Sequence, residues 1–325
     1  MNEKKNPANN GDLMLLVTER KLVADHVIEL VLRAADDSAL PPWTAGAHID
    51  VVLEGEPQLV RQYSLSGSPS DADSWRIAVL RERDSRGGSA RIHDEIAVGD
   101  RLVARGPRNN FALDSADAYL FVAGGIGITP IIPMIEAASR SGAEWHLVYG
   151  GRNQRSMAYA DELAGRYKGR VALRPQDEHG LLDLESILAS RPSGALVYSC
   201  GPGALLDAMD KLCAALPGAT LHTERFVPRD LGEPLATRPF DVELALSDTT
   251  LQVRPEQSIL GALEEAGITV VSSCQEGTCG TCETAVLDGE VDHRDSILTL
   301  EERAANSTMF ICVSRAAGTR LVLDL

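Results

Sequence analysis

The stretch CQEGTCGTC at residues 274–282 decides most of what this chain must be. Cys274, Cys279 and Cys282 follow the spacing C-x4-C-x2-C, and 29 residues separate Cys282 from Cys312. That is the ligand arrangement of a plant-type [2Fe-2S] cluster. Four thiolates must converge on two irons while backbone N–H groups of the intervening loop point at the sulfurs and offset their negative charge. Gly277 and Gly280 fall inside the loop, where a tight wrap calls for positive φ and a close backbone approach. Ser273, Thr278 and Thr281 keep it small and polar. The alternatives are a zinc site and unrelated buried cysteines. Zinc sites show paired C-x2-C or Cys/His groupings, and here there is one such pair, with His293 standing apart after an acidic turn. Of the remaining cysteines, Cys213 has apolar neighbours on a helical stretch and reads as core filler.

Outward from that loop, a chain of 325 residues at about 150 per domain suggests two domains and allows three. Its 44% hydrophobic and 24% charged residues describe an ordinary folded protein. No apolar run approaches the roughly 18 residues of a membrane-spanning helix, so membrane spanning is not expected. A net charge of −16 repels nucleic-acid phosphates and anionic lipid, which excludes those partners. The first ten residues are polar and carry no signal-peptide core, so the expected compartment is the reducing cytoplasm and disulfides are not expected.

The chain divides into segments by pattern. Residues 1–12 read as a flexible tail. Over residues 13–114 short alternating runs at 27–32, 47–53, 59–65, 76–80 and 100–104, broken by turn residues, predict an antiparallel barrel. From 115 to 227 strands and helices alternate, which predicts an α/β domain with a doubly wound parallel sheet. Residues 228–238 read as a linker, and 239–325 as a third unit. That unit holds 15 acidic and 5 basic residues, a net charge of −10. Asp288, Glu290, Asp292 and Asp295 fall close together in it, and they read either as an acidic docking face or as ordinary solvated carboxylates.

Two further motifs carry chemistry. GGIGITP (residues 124–130) follows the strand YLFVA and opens a helix, with Thr129 expected as N-cap and Pro130 at N1. Such a turn lets a pyrophosphate approach the backbone at a helix N-terminus, and it can equally be a bare strand-to-helix turn. The second strand ends in Tyr149, Gly150, Gly151 and Arg152 rather than in the acid that binds a ribose 2′-hydroxyl. Arg152 and Arg155 could receive a 2′-phosphate or simply be solvated. In the barrel, alternation along RQYSLS (61–66) places Arg61 and Tyr63 on one face and Ser64 on the other. A guanidinium beside an aromatic ring suits a phosphorylated planar ligand, and RGGS (86–89) offers a second anion nest.

Together RQYSLS, RGGS, GGIGITP, SCGP (199–202), ERF (224–226) and the cysteine pattern resemble the phthalate dioxygenase reductase family over nearly the whole chain, from Leu13 to Leu325. The resemblance implies a multidomain protein: an FMN-binding antiparallel β-barrel, an NAD(P)H-binding α/β domain and an α+β β-grasp plant-type ferredoxin domain. It implies that Arg61 holds the FMN phosphate with Arg86, Gly87, Gly88 and Ser89, that Gln62, Tyr63 and Val79 line the flavin, and that Ser64 bonds near its N5 atom. Phe226 would cover the ring. Gly125, Gly127, Thr129 and Arg152 would meet the nucleotide, and Cys200 would lie beside the nicotinamide. Ser64, Cys200 and Phe226 are thus the expected catalytic residues, and Cys274, Cys279, Cys282 and Cys312 the metal ligands.

NAD(P)H carries two electrons as a hydride whereas an iron–sulfur cluster accepts one at a time, so a flavin is needed between them. The expected activity is an NAD(P)H-dependent oxidoreductase that passes electrons from NADH, with NADPH possible, through FMN and the cluster to a terminal oxygenase. In this family that is usually a Rieske-type oxygenase, and related modules serve cytochromes P450. A monomer is expected. A redox sensor without turnover and a free flavin reductase with a vestigial cluster are the contrasting readings, and the complete hydride-site and cluster motifs argue against both.

Overall fold

In the computed structural model, residues 12–53, 55, 59–82, 87–235 and 237–325 are described. The chain forms two compact units, one ending at Glu224 and the other beginning at Arg225.

The first unit opens with β1 (Leu13–Ala24), β2 (Val27–Ala34), β3 (His48–Leu53), β4 (Leu59–Ser64), β5 (Trp75–Leu80), α1 (Gly88–Glu95) and β6 (Arg101–Arg108). The strands pair antiparallel in the order β4-β3-β6-β1-β2-β5. A bridge from Leu65 to Ile77 joins the two ends, and the Ser66 N–H donates to the Arg76 carbonyl, so the sheet closes into the expected barrel. Closure satisfies the edge groups and encloses Leu15, Leu30, Ile49, Trp75, Ile77 and Ile92. The long first strand precedes every run that alternation marks. Residues 1–11 of the expected tail lie outside the described residues, while Asp12 is held by the Arg105 guanidinium at 2.6 Å.

The same unit continues with β7 (Ala118–Gly124), α2 (Ile128–Ser141), β8 (Glu144–Gly151), α3 (Ala160–Arg166), β9 (Val171–Pro175), α4 (Gln176–His179), α5 (Leu184–Ala189), β10 (Leu196–Cys200), α6 (Gly203–Ala215) and β11 (Thr220–Glu224). All five strands are parallel, in the order β11-β10-β7-β8-β9. Every residue of β7 is buried, as a central parallel strand covered on both faces must be. Ile128, Ile131, Met134 and Ile135 of α2 pack in one core with Phe121, Trp145 and Tyr149, while Met209 and Cys213 of α6 pack with Leu120, Val122 and Val197. Cys213 is thus core filler. Val27, Ala78 and Phe111 share the α2 core, so barrel and parallel sheet bury one continuous apolar interface.

The second unit comprises β12 (Phe240–Leu244), β13 (Thr249–Val253), α7 (Ile259–Glu265), β14 (Glu283–Asp288), β15 (Val291–Asp292), α8 (Leu300–Ala305), β16 (Thr308–Phe310), β17 (Arg315–Ala316) and β18 (Arg320–Leu323). Its sheet runs β13-β12-β18-β14-β16, with the first and last strands of the unit, β12 and β18, parallel at its centre. Ile259, Leu260 and Leu263 of α7 cover Phe240, Val242, Leu244 and Leu321. One helix laid across such a mixed sheet is the β-grasp arrangement. Among the described residues no helix is long and apolar enough to cross a membrane.

Candidate functional site

The parallel sheet reverses its strand order between β7 and β10, where open α/β sheets bind ligands beyond the carboxyl ends of their strands. The glycine turn after β7 and the SCGP turn after β10 meet there. A Cβ on Gly127 would lie 2.3 Å from the Cys200 carbonyl oxygen, and one on Gly124 would lie 2.7 Å from Pro202 Cδ. Gly125 has φ +55° and faces open space. The Tyr149 hydroxyl bonds the carbonyls of Gly125 and Ala158, both at 3.1 Å, and steadies the turn from β8. The expected cap is corrected. Gly127 is the N-cap of α2, so Thr129 lies inside the first turn, and its hydroxyl donates back to the Ile126 carbonyl at 3.0 Å. The residues at 125–127 coil as a 3-10 turn, which delays the helix start and leaves the turn's glycines, rather than a side chain, at the mouth.

Cys200 and Glu224 are register partners at the ends of β10 and β11. Glu224 reaches the barrel, where Ser64 hydrogen-bonds its carboxyl and His48 Nδ1 lies 4.0 Å from Oε1. Burial pushes Glu224 up to about 8, so it is mostly protonated at neutral pH, and its Oε2 has no hydrogen-bond partner among the described residues. Burial, with Glu224 nearby, raises the Cys200 thiol well above its ordinary value, which makes it a neutral lining group and no nucleophile. Ser64 and His48 face each other across β3 and β4. A hydroxyl, a thiol, an imidazole and a neutral carboxyl therefore converge where sheet meets barrel. His48 escaped the sequence reading, and Glu224 entered it only as part of the ERF motif, with no role of its own.

Arg61 and Tyr63 share the opposite face of β4. The Arg61 side chain crosses directly over Gly88, where a Cβ would lie 2.6 Å from its Cγ and 2.7 Å from Nε. Gly87, at φ +89°, is the N-cap of α1, so the RGGS segment starts a helix rather than a bare turn. Backbone N–H groups at that N-terminus together with the guanidinium suit a phosphate. Ser89 is buried and its hydroxyl accepts from the Glu82 N–H at 3.1 Å. Burial pushes the Tyr63 phenol well above its usual value, as an apolar seat for an aromatic ligand would. The Gln62 side chain points the other way and donates to buried Asp50 at 3.1 Å. Val79 packs in the barrel core, and its carbonyl meets His93 Nε2 at 2.9 Å. Arg86 lies outside the described residues.

At the end of β8, Arg152 is exposed, and its carbonyl accepts from the Asp177 N–H at 3.2 Å. An acid from the third strand's end thus arrives beside the second strand's end. Arg155 instead faces Asp25 of the barrel at 3.4 Å.

In the second unit Phe226 is 41% exposed. The cysteines gather as two pairs: Cys274 with Cys279 and Cys282 with Cys312 each share a hydrogen bond. The Cys279 thiol holds Cys274 down at about 5, and the Cys312 thiol lowers Cys282. Their partners rise, because each faces a thiolate and is buried. Backbone N–H groups of Glu276 and Thr281 donate to Cys274 and Cys279 at 3.3 and 3.4 Å, and that of Gly277 to Cys312. Gly277, at φ +69°, has no room for a side chain, since a Cβ would lie 2.7 Å from Val313 Cγ2. Among the described residues no group of three or more His, Cys, Asp or Glu side chains closes around a single metal ion. Two thiolates per iron is the arrangement that a [2Fe-2S] cluster requires, and the two pairs fit it.

The expected acidic face is corrected in part. Asp292 and Asp295 are buried, Asp292 beside Arg294 at 3.4 Å and Asp295 within its own turn, while Asp288 pairs with Arg320 at 2.9 Å and Glu290 is exposed.

Residues 242–317 match the 2Fe-2S iron-sulfur cluster binding domain and residues 121–211 the oxidoreductase NAD-binding domain. The chain is 44% identical to phenoxybenzoate dioxygenase subunit beta of Ectopseudomonas oleovorans over 93% of its length and 94% of that protein's. It is 42% identical to the carnitine monooxygenase reductase subunit of Escherichia coli K12, over 95% of this chain and 97% of that one. Phthalate dioxygenase reductase superposes over 99% of this chain and 100% of its own with a TM-score of 0.70 and 34% identity. An intact type IV self-sufficient cytochrome P450 monooxygenase superposes over 99% of this chain with a TM-score of 0.90 and 44% identity, although the chain spans 43% of that protein's length.

Proposed function

From the premise that this chain belongs to the oxygenase-reductase family of phthalate dioxygenase reductase, we propose that it carries electrons from NADH to a terminal oxygenase. The observation that carries the reading is the convergence of the four cysteines as two pairs in a chain whose parallel sheet brings the glycine turn and the SCGP turn together at its switch point. When bound, FMN would supply the conversion of a two-electron hydride into single electrons, and a [2Fe-2S] cluster would supply a one-electron carrier.

The chain's own residues bind, orient and exclude water. Residues 13–114 hold FMN, with Arg61 and the Gly87–Ser89 segment on the phosphate and Tyr63 against the ring. Residues 115–227 hold the nucleotide, its pyrophosphate over Gly125 and Gly127. Ser64, steadied by Glu224, supplies a hydroxyl where the hydride arrives, and Cys200 packs the nicotinamide side. Cys274, Cys279, Cys282 and Cys312 hold the cluster in residues 239–325, after the linker at 228–238. The protein acts as a cytoplasmic monomer, and its acceptor is a Rieske-type oxygenase. The likeness to a self-sufficient P450 supports a P450 acceptor as the second reading.

Purified holoprotein is expected to hold one FMN and one [2Fe-2S] cluster, and NADH should bleach both. In Cys279→Ser, NADH oxidation by ferricyanide should persist while reduction of one-electron protein acceptors is lost. Loss of both with FMN still bound would overturn the linear order, and acid release of FAD would overturn the flavin assignment. Reduction of a Rieske protein and of a P450, assayed side by side, separates the two acceptors.

A further inference from the structure

We propose that the buried pair Asp295 and Arg303 sets the reduction potential of the cluster, with Asp295 as a fixed negative charge behind the cysteine loop that holds the potential low. The inference rests on the cluster ligation proposed above.

Asp295 is wholly buried and touches the loop itself: a Cβ on Gly277 would lie 3.0 Å from Asp295 Cα and 3.4 Å from its Cβ. The neighbouring Ser296 N–H donates to the Gly277 carbonyl at 2.8 Å, which ties the Asp295 turn to the loop. Oδ1 accepts from the Ile297 and Leu298 N–H groups at 2.9 and 2.7 Å, donors suited to a carboxylate. Oδ2 has no hydrogen-bond partner among the described residues and faces His293 Nδ1 at 3.9 Å. Arg303 donates to the Asp295 carbonyl at 2.6 Å and to that of Leu298 at 3.1 Å, and its guanidinium lies 3.7 Å from Oδ1.

A negative charge opposes the arrival of an electron and a positive one favours it, and enclosure weakens solvent screening. Asp295 is the more enclosed partner and the one against the loop, so its sign prevails. A carboxylate of this kind would bind no partner protein, and its acidity would act inward on the cluster.

The test is a redox titration of full-length holoprotein, followed by the electron paramagnetic resonance signal of the reduced cluster. Asp295→Asn keeps the shape and the N–H contacts. It should raise the reduced-to-oxidised ratio at a fixed potential about tenfold, a shift of about 59 mV for one electron. Arg303→Gln should shift the potential downward. A loosened loop that admits water would move both variants the same way, so shifts of equal sign, or none, overturn the inference. Should Asp295→Asn fail to retain the cluster, the order of the others decides. Arg303→Gln must lie below wild type and the double variant Asp295→Asn/Arg303→Gln above it, and any other order rejects the proposal. Wild-type protein without a cluster signal would instead fail the ligation on which the inference stands.

Discussion

The Glu224 carboxyl group lies 4.0 Å from Nδ1 of His48, at the end of a parallel strand and against the first residue of a barrel strand. Two separately predicted halves of the site meet through these two side chains. Glu224 is held mostly neutral by burial, while the Ser64 hydroxyl favours the charged form without prevailing.

Ionisation of Glu224 therefore has a predictable cost. Its native value of about 8 stands above the ordinary 4.5, so the folded protein retains a proton that the unfolded chain releases between those pH values. Stability must fall as pH rises through that window, by about 5 kcal/mol once pH exceeds 8. Glu224→Gln removes the penalty and should melt at a higher temperature than wild type at pH 9, with little difference at pH 5. NADH oxidation should also slow in wild type from pH 7 to 9, because a carboxylate opposes the charge arriving with the hydride, and stay flat in the Gln variant. Equal melting differences at both pH values would sink the assignment.

Gly88 is expected to be irreplaceable for flavin binding. Its missing Cβ is the space through which Arg61 passes, and the clashing atoms, Cγ, Cδ and Nε, lie along the middle of that side chain rather than at its free end. Gly88→Ala should displace the guanidinium and raise the FMN dissociation constant at least tenfold, on the order of 1.4 kcal/mol. Gly165→Ala in α3, with nothing within 4 Å, should leave FMN binding unchanged. Fluorescence titration of flavin-depleted protein compares the two, and equal affinities would remove Arg61 from the phosphate.

Coenzyme preference can be read from Asp177. The strand-end rule finds no acid after β8, yet the backbone bond from Asp177 to Arg152 brings one there from the end of β9. NADH should be favoured over NADPH, and Asp177→Ala should narrow the ratio of their kcat/KM values by about tenfold. Arg152→Ala should weaken NADPH alone. Arg155→Ala should change neither, since that guanidinium faces Asp25. An NADPH preference lost in Arg155→Ala would reverse the assignment.

The legible features were those with a fixed spacing. C-x4-C-x2-C and the glycine turn each state a geometry in a few residues, and the strand and helix alternation that followed yielded the parallel sheet. What escaped lacked a period. In α1 the buried residues are Gly88, Ser89 and Ile92, too few to mark an apolar stripe, and a helix opening on two glycines reads as a turn. β1 carries four exposed residues in its middle, which hides its pairing with β2 and β6. Glu224 is a single acid, and nothing local says that Ser64 and His48, more than 150 residues earlier, will enclose it. Asp295 misled for a related reason: a carboxylate among other carboxylates reads as surface, whereas its own turn satisfies it.

That last correction alters what salt should do to electron delivery. The ferredoxin unit carries a net charge of −10, but the carboxylates available to a partner exclude Asp292 and Asp295, and Asp288 is partly neutralised by Arg320. Glu290, Glu301 and Glu302 remain exposed. Steering by these groups predicts that electron transfer to a partner with a basic face slows as ionic strength rises from about 0.02 to 0.3 M, a range over which the Debye length falls from roughly 20 Å to below 8 Å. Hydride transfer from NADH should not respond. Glu290→Gln should flatten the salt dependence measurably, since it removes an exposed charge. Asp292→Asn should leave it intact and act on stability, because Asp292 accepts from the Leu235 N–H at 3.0 Å and faces Arg294. Stopped-flow rates for both steps in one salt series decide the matter. An acceptor rate indifferent to salt would leave the exposed acids as solvated surface, and a slope removed by Asp292→Asn rather than Glu290→Gln would place the docking charge elsewhere.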